Sequence, residues 1–225
     1  MTILTAAPLA PLLERLFAEA QDTNAAPEWR DAWNQLPPEE RTRVMTSADE
    51  ADYRSFYGLA KDVYLAVSPE TARLLYMLVR ASGAHSIVEF GTSFGISTLH
   101  LAAGLRDNGG GRIITTEFEP SKVVRARKNF TAGELADLIE LREGDALRTL
   151  ARDLPAPIDL VLLDGAKALY PAVLALLEPH LRPGAMVVAD NADHCPDYLK
   201  RVRAPESGYL SVPFGEDVEV SLRVG

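Results

Sequence analysis

Three acids and an amide stand where short apolar runs end: Glu117 after Ile113-Ile114-Thr115-Thr116, Asp164 after Ile158–Leu163, and Asp190 with Asn191 after Ala185–Ala189. If the runs ending at Leu163 and Ala189 are neighbouring strands, their ends lie about 5 Å apart and two carboxylates converge with an amide oxygen. Like charges so placed destabilise each other unless a cation sits between them. An all-oxygen set with room for water suits Mg²⁺ better than a soft metal, with Ca²⁺ or Mn²⁺ also compatible. A plainer use remains open: Asp164 and Asp190 capping the ends of their loops, and Lys167 as a solvated helix residue.

Glu117 points to a second chemistry. A carboxylate at a strand's end can accept hydrogen bonds from both hydroxyls of a ribose. Asp145, in Glu143-Gly144-Asp145-Ala146, can accept from the exocyclic amine of adenine, cap the helix that starts at Ala146, or do both. Ahead of both lies Ser86-Ile87-Val88-Glu89-Phe90-Gly91-Thr92-Ser93-Phe94-Gly95, which reads as strand, tight turn and helix start. Gly91 and Gly95 let the backbone approach a ligand, and the helix N-terminus beyond them offers unpaired N–H groups. The spacing is G-x-x-x-G, so Ser93 stands where a dinucleotide fingerprint has its second glycine. Glu89 repels a pyrophosphate but suits an amine-bearing ligand, and S-adenosylmethionine (AdoMet) is one. An ordinary β–α turn with packing glycines reads the same way.

The elements that position these residues follow from periodicity. Residues 1–67 read as helices: Leu9 to Ala20 is apolar at helical spacing, Pro37-Pro38-Glu39-Glu40 is a proline-led start, and Ser47-Ala48-Asp49-Glu50 is a capping box. This stretch holds Trp29, Trp33, Tyr53, Phe56, Tyr57 and Tyr64, which serve helix packing or a subunit interface, or roof a substrate pocket. A helix from Pro69 to Arg80 closes at Gly83. Strands at 86–90, 112–117, 138–142, 158–163 and 185–190 then alternate with helices near 95–105, 120–132, 146–152 and 168–180. That alternation means a parallel sheet with helices on both faces. Gly208–Val212 and Val218–Arg223 are joined by a turn too short for a crossover, so this last pair is antiparallel.

Composition narrows the partners. The net charge of −9 and the lack of a basic cluster argue against nucleic acid. No apolar run is long enough to span a bilayer and the start lacks a leader pattern, so the expectation is a cytoplasmic protein with no membrane partner. The single cysteine, Cys195, excludes an internal disulfide and a cysteine-rich zinc site.

From about Tyr64 onward the segments VEFGTSFGISTLHLA, ITTEFEP, REGDAL, DLVLLDGAKALY, LRPGAMVVADN, YLKRVRAP, GYLSV and VEVSLR, in this order and spacing, resemble bacterial O-methyltransferases related to the catechol O-methyltransferases. The N-terminal 60 residues take no part in the resemblance. It implies a class I AdoMet-dependent methyltransferase: an α/β, Rossmann-like fold with a seven-stranded, mostly parallel sheet and an antiparallel C-terminal hairpin. A helical extension (1–67) would precede the AdoMet-binding domain (68–225), and a homodimer is expected. The cofactor set is Glu89, Gly91, Ser93, Gly95, Glu117 on ribose, Phe118 on adenine, Asp145, Ala146 and Asp164. Asp164, Asp190 and Asn191 fall on the family's metal ligands, and Lys167 falls on its catalytic base. The implied reaction methylates a hydroxyl of a small, aromatic, catechol-like acceptor whose vicinal oxygens bind the metal, and a nearby dication should depress the pKa of Lys167.

One departure is Ala166, where relatives often carry a bulky aromatic. Either the acceptor pocket is wider, or Trp29, Trp33 or Tyr170 fills the space. His194, on the Asn191 loop, contacts substrate or is simply an exposed histidine. Three rivals remain: a metal-independent N- or O-methyltransferase, a nicotinamide-dependent oxidoreductase disfavoured by the glycine pattern, and a non-catalytic nucleotide-binding protein that would have no use for Lys167.

Overall fold

The parallel strands are Ser86–Phe90 (β1), Arg112–Glu117 (β2), Ile139–Glu143 (β3), Ile158–Leu163 (β4) and Leu181–Ala189 (β5); β1 and β4 are apolar runs buried at the centre, while β3, with Glu140, Arg142 and Glu143, is an edge strand. Tyr209–Phe214 (β6) and Val218–Arg223 (β7) complete one sheet in the order β3-β2-β1-β4-β5-β7-β6, with β7 antiparallel to both neighbours. The computed structural model describes residues 2–24, 31 and 33–225. The chain builds outward from β1 to β3, then returns to the other side of β1 with β4. That reversal opens a crevice at the carboxyl ends of β1 and β4, the place where open α/β sheets bind ligands.

Helices cover both faces. On one, α1 (Leu9–Asn24), α4 (Pro69–Ser82), α5 (Ile96–Asp107) and α6 (Pro120–Ala132) bury Leu16, Leu75, Leu99 and Phe130 against Ile87 and Ile113. On the other, α7 (Ala146–Thr149), α8 (Tyr170–Leu177) and α9 (Pro196–Arg203) bury Leu174, Tyr198 and Val202 against Val88 and Val161. α2 (Pro38–Thr46) and α3 (Glu50–Leu59) come from the N-terminal stretch, and Tyr53 of α3 joins the second core. Among the described residues no helix is long and apolar enough to cross a membrane.

Local chemistry explains most boundaries. The Ser68 hydroxyl accepts from the Thr71 N–H at 3.0 Å to start α4, and Gly83 ends it at φ 61°. Other ends differ from the sequence expectation. β5 begins at Leu181, not Ala185, because Leu181 pairs with Ile158 across a register shift that absorbs Arg182-Pro183-Gly184. α7 stops at Thr149, not Arg152: the Arg142 guanidinium donates to the carbonyls of Thr149, Arg152 and Asp153 at 2.7 to 2.8 Å and ends the helical ladder. The run expected as one helix over 168–180 is α8 between two short 3₁₀ turns, with Pro171 at the start of α8 and Pro179 in the second turn. Near the start of α3, at Glu50, the Ser47 hydroxyl accepts from the Asp49 N–H at 3.1 Å; the Glu50 side chain of the expected capping box lies outside the described residues.

Candidate active site

A narrow cleft lies over the ends of β1, β2, β3 and β4, and it gathers Gly91, Ser93, Glu117, Phe118, Asp145, Ala146 and Asp164. Glu117 is anchored by backbone donors: one carboxylate oxygen accepts from Ser93 at 2.9 Å, the other from Phe118 and Glu119 at 2.9 and 3.0 Å. Burial raises its pKa against the pull of these N–H groups and Lys122. Asp145 caps α7 by accepting from the Leu147 N–H at 2.9 Å, and it still faces the cleft. The hydroxyls of Ser93 and Thr116, residues that also line the cleft, are buried without a hydrogen-bond partner among the described residues. Orphaned buried hydroxyls await a polar ligand, and the hydroxyl- and amine-bearing AdoMet fits them.

α3 lies across this cleft. Tyr53 and Tyr57 meet the Phe118 ring edge-on at 6.3 and 6.0 Å, and the Arg54 guanidinium sits 5.7 Å from its centroid. The Tyr57 hydroxyl donates to the Gly165 carbonyl at 3.2 Å, and burial pushes its pKa up to about 12, so it stays a donor.

Two expectations for the first turn, Glu89 and Gly95 on the cofactor, are not met, and Gly91 lines the cleft for a different reason than the one expected. Glu89 does not face the cleft. Strand side chains alternate, which puts Glu89 on the face of Ile87, beneath α5. There its carboxylate, fully buried, accepts from Ser97, Thr98 and Thr115 at 2.5 to 2.6 Å. Burial raises its pKa to about 7 despite those donors. Gly95 does not line the cleft either, and a Cβ there would fall 2.4 Å from the Phe130 ring. Gly91 does line it, but the space its missing Cβ leaves is filled by the Asp164 carbonyl, 2.3 Å from where that atom would be. Both glycines, at φ 102° and 90°, therefore serve close packing within the protein.

Beside the cleft opens a cavity of about 420 Å³, lined by Tyr57, Tyr64, Leu65, Thr71, Asp164, Lys167, Asp190, Asn191 and Asp217. It shares Tyr57, Leu65 and Asp164 with the cleft. Asp164 and Asp190 lie within electrostatic reach of each other. Burial raises both pKa values, and with the Asp164 charge beside it Asp190 reaches about 8. Lys167 Nζ donates to Asp164 at 3.0 Å and to the Tyr170 hydroxyl at 2.9 Å, and that hydroxyl donates to the Asp190 carbonyl at 2.8 Å. Burial works against the Lys167 charge, but Tyr170 and Asp164 outweigh it and hold the pKa well above its usual value. The protein's own groups thus do not produce the depressed lysine pKa expected from the sequence, an expectation that turned on a dication.

Asn191, at φ 47°, donates its amide to the Asp217 carboxylate at 2.9 Å, and the Asp217 carbonyl accepts from the Ala192 N–H at 2.7 Å. The Asn191 amide oxygen is left without a hydrogen bond among the described residues. Among those residues no three His, Cys, Asp or Glu side chains gather where they could hold a metal. The set here is two carboxylates and an amide. Two carboxylates whose ionisation burial disfavours, on a cavity wall they share with an amide oxygen, fit a hard dication.

Of the aromatics proposed for the acceptor pocket, Tyr170 is buried with its hydroxyl committed, and Trp33 lines a separate surface cleft with Arg41 and His194. Trp29 and the Phe56 side chain lie outside the described residues. Ala166 lines the cofactor cleft rather than the acceptor cavity. Asp217 was missed by sequence reasoning, because only the pairing of Ala189 with Glu219 carries the β6–β7 turn to the end of β5.

Comparison with known proteins bears on this geometry. Residues 88–192 match the family model described as a methyltransferase domain. A catechol O-methyltransferase of Niastella koreensis is 33% identical over 130 residues, 56% of this chain and 58% of that protein. Another from Mycobacterium tuberculosis is 35% identical over 127 residues, 56% and 57% of the two chains. The matched stretch thus spans under three fifths of these curated relatives. Among solved structures, the O-methyltransferase TomG from Streptomyces achromogenes in complex with SAM aligns over 84% of this chain and 100% of its own, with TM-score 0.65 and 27% identity. Cofactor-bound Rv0187 from M. tuberculosis aligns with TM-score 0.65 and 25% identity over 84% and 99%. The fold is that of class I methyltransferases, as the sequence implied.

Proposed function

We propose that the protein is an AdoMet-dependent O-methyltransferase acting on a small hydroxylated, aromatic acceptor with the aid of a divalent cation. The observation that carries this reading is the shared wall: a cleft with two orphaned hydroxyls meets a cavity with a buried carboxylate pair at Tyr57, Leu65 and Asp164. A methyl group on a donor in the cleft would cross there to an oxygen in the cavity. The names of the relatives and the SAM complex of TomG support the same chemistry.

Phe118, Asp145 and Ala146 form the adenine side, Glu117 takes the ribose, and Ser93 and Thr116 supply the hydroxyls still without partners. Asp164, Asp190 and the Asn191 amide oxygen would hold the cation, preferably Mg²⁺, which would neutralise the pair and favour the ionised acceptor hydroxyl. With a dication bound between Asp164 and Asp190, the pKa of Lys167 would fall, and its neutral amine, which lines the cavity, would take the acceptor's proton. The oxygen then attacks the methyl carbon in line, the C–S bond breaks, and its electrons return to sulfur. Tyr57 and Tyr64 wall the cavity, so the protein contributes alignment and exclusion of water. The N-terminal extension acts here as a cover, through α3. For the expected homodimer, the edge strand β6 offers exposed Leu210 and Val212.

Calorimetry tests the class. S-adenosylhomocysteine should bind and NAD should not, and the reverse result would hand the fold to the oxidoreductase. Lys167→Ala should lower kcat far more than it weakens cofactor binding.

A further inference from the structure

Lys122, in the first turn of α6, is only 3% exposed yet lines the cofactor cleft. Among the described residues it makes no hydrogen bond or ion pair, and its Nζ lies 5.3 Å from the centroid of the Phe94 ring. The neighbouring acids are committed elsewhere: Glu117 to three backbone N–H groups, and one oxygen of Glu119 to the N–H and hydroxyl of Ser121. A buried ammonium without a counter-ion is costly, and the cost is recovered if a ligand brings the anion.

The position of Lys122 says which part of the ligand that is. Phe94 packs against Tyr64 with ring centroids 4.1 Å apart and planes tilted by 43°, and Leu65, next in the chain, lines both cleft and acceptor cavity. The carboxylates that act most strongly on Lys122 are those of Glu117, Glu119 and Asp164, and Asp164 lines both the cleft and the acceptor cavity. Lys122 therefore stands on the side of the cleft adjoining the acceptor cavity, where the sulfonium and its amino-acid tail must lie for the methyl to cross. AdoMet carries a single anionic group, the α-carboxylate of that tail.

We infer that Lys122 pairs with the α-carboxylate of the cofactor's amino-acid tail. The inference rests on the AdoMet reading above. It moves recognition of the tail away from Glu89, which is sealed under α5, to a cation that reads the opposite end of the amino-acid group.

The test compares three ligands by calorimetry: S-adenosylhomocysteine, its decarboxylated analogue, and 5′-methylthioadenosine, which lacks the whole tail. Lys122→Met should weaken S-adenosylhomocysteine about 10- to 100-fold and leave methylthioadenosine within about twofold of wild type. Equal weakening of both ligands would overturn the inference, since Lys122 would then serve ribose or the fold. If Lys122→Met unfolds, the wild type still decides: it should prefer S-adenosylhomocysteine over the decarboxylated analogue by a similar factor, and equal affinity would overturn the pairing. Failure of the wild type to bind any of the three would remove the AdoMet reading itself, and the inference with it.

Discussion

On the β1–β2–β3 side of the crevice, Glu89 accepts from three hydroxyls, Glu117 from three backbone N–H groups and Asp145 from the Leu147 N–H. On the β4–β5 side, Asp164 and Asp190 have each other and Lys167. The cofactor half satisfies its acids with the protein's own donors and leaves only two hydroxyls and the Lys122 ammonium to the ligand. The acceptor half leaves two buried carboxylates short of positive charge, so it is completed by what binds there.

The contrast breaks first at Asp190. Asp190→Ala should lower methyl transfer about 1000-fold and leave S-adenosylhomocysteine affinity unchanged by calorimetry. A matching loss of cofactor affinity would mean that the halves are not separable.

Glu89 sharpens the cofactor side. Burial lifts its folded pKa from the ordinary 4.5 to about 7, so the native state binds the extra proton between those values. Its contribution to stability is full below about pH 4.5 and is lost as pH rises through 7. The loss is about 3 kcal/mol. Denaturant unfolding of the ligand-free protein should show Glu89→Gln gaining on wild type by that amount between pH 4.5 and 8. A pH-independent difference would show that the carboxylate does not titrate there.

The glycines give a smaller effect. Gly95→Ala places a Cβ against Phe130 at φ 90° and should cost about 2 kcal/mol of stability, with cofactor affinity retained once folded. Loss of affinity without loss of stability would restore the ligand-approach role.

The smallest effect is expected at Asp217, which orients Asn191. Asp217→Ala should weaken Mn²⁺ binding about tenfold, while Asp217→Asn, still able to accept from the Asn191 amide, should largely retain it. If the asparagine variant fares as badly as alanine, Asp217 acts by charge rather than by holding the amide.

Legibility in the sequence followed the same division. β1, β2, β4 and β7 were readable to the residue because aliphatic and β-branched runs end cleanly at Gly, Pro or acidic positions. The start of β5 was hidden because Arg182-Pro183-Gly184 reads as a break, while pairing to Ile158 is a tertiary fact. Glu89 was visible as an acid beside the turn, but its direction is set by the strand's period of two, which points it under α5. Gly91 and Gly95 were the right residue type for a different reason, since what approaches them is protein. Asp217 lay in a turn with no motif, and only the antiparallel register brings it to Asn191. Tyr57 and Tyr64 were two aromatics among several until the fold placed them on the acceptor cavity.

The most direct measurement is methyl transfer from methyl-labelled AdoMet to a catechol, first in excess chelator and then with Mg²⁺ restored. A cation-completed acceptor half predicts no transfer above background with chelator and full recovery on adding Mg²⁺. Undiminished transfer in chelator would contradict it and leave the metal-independent methyltransferase as the reading of this site.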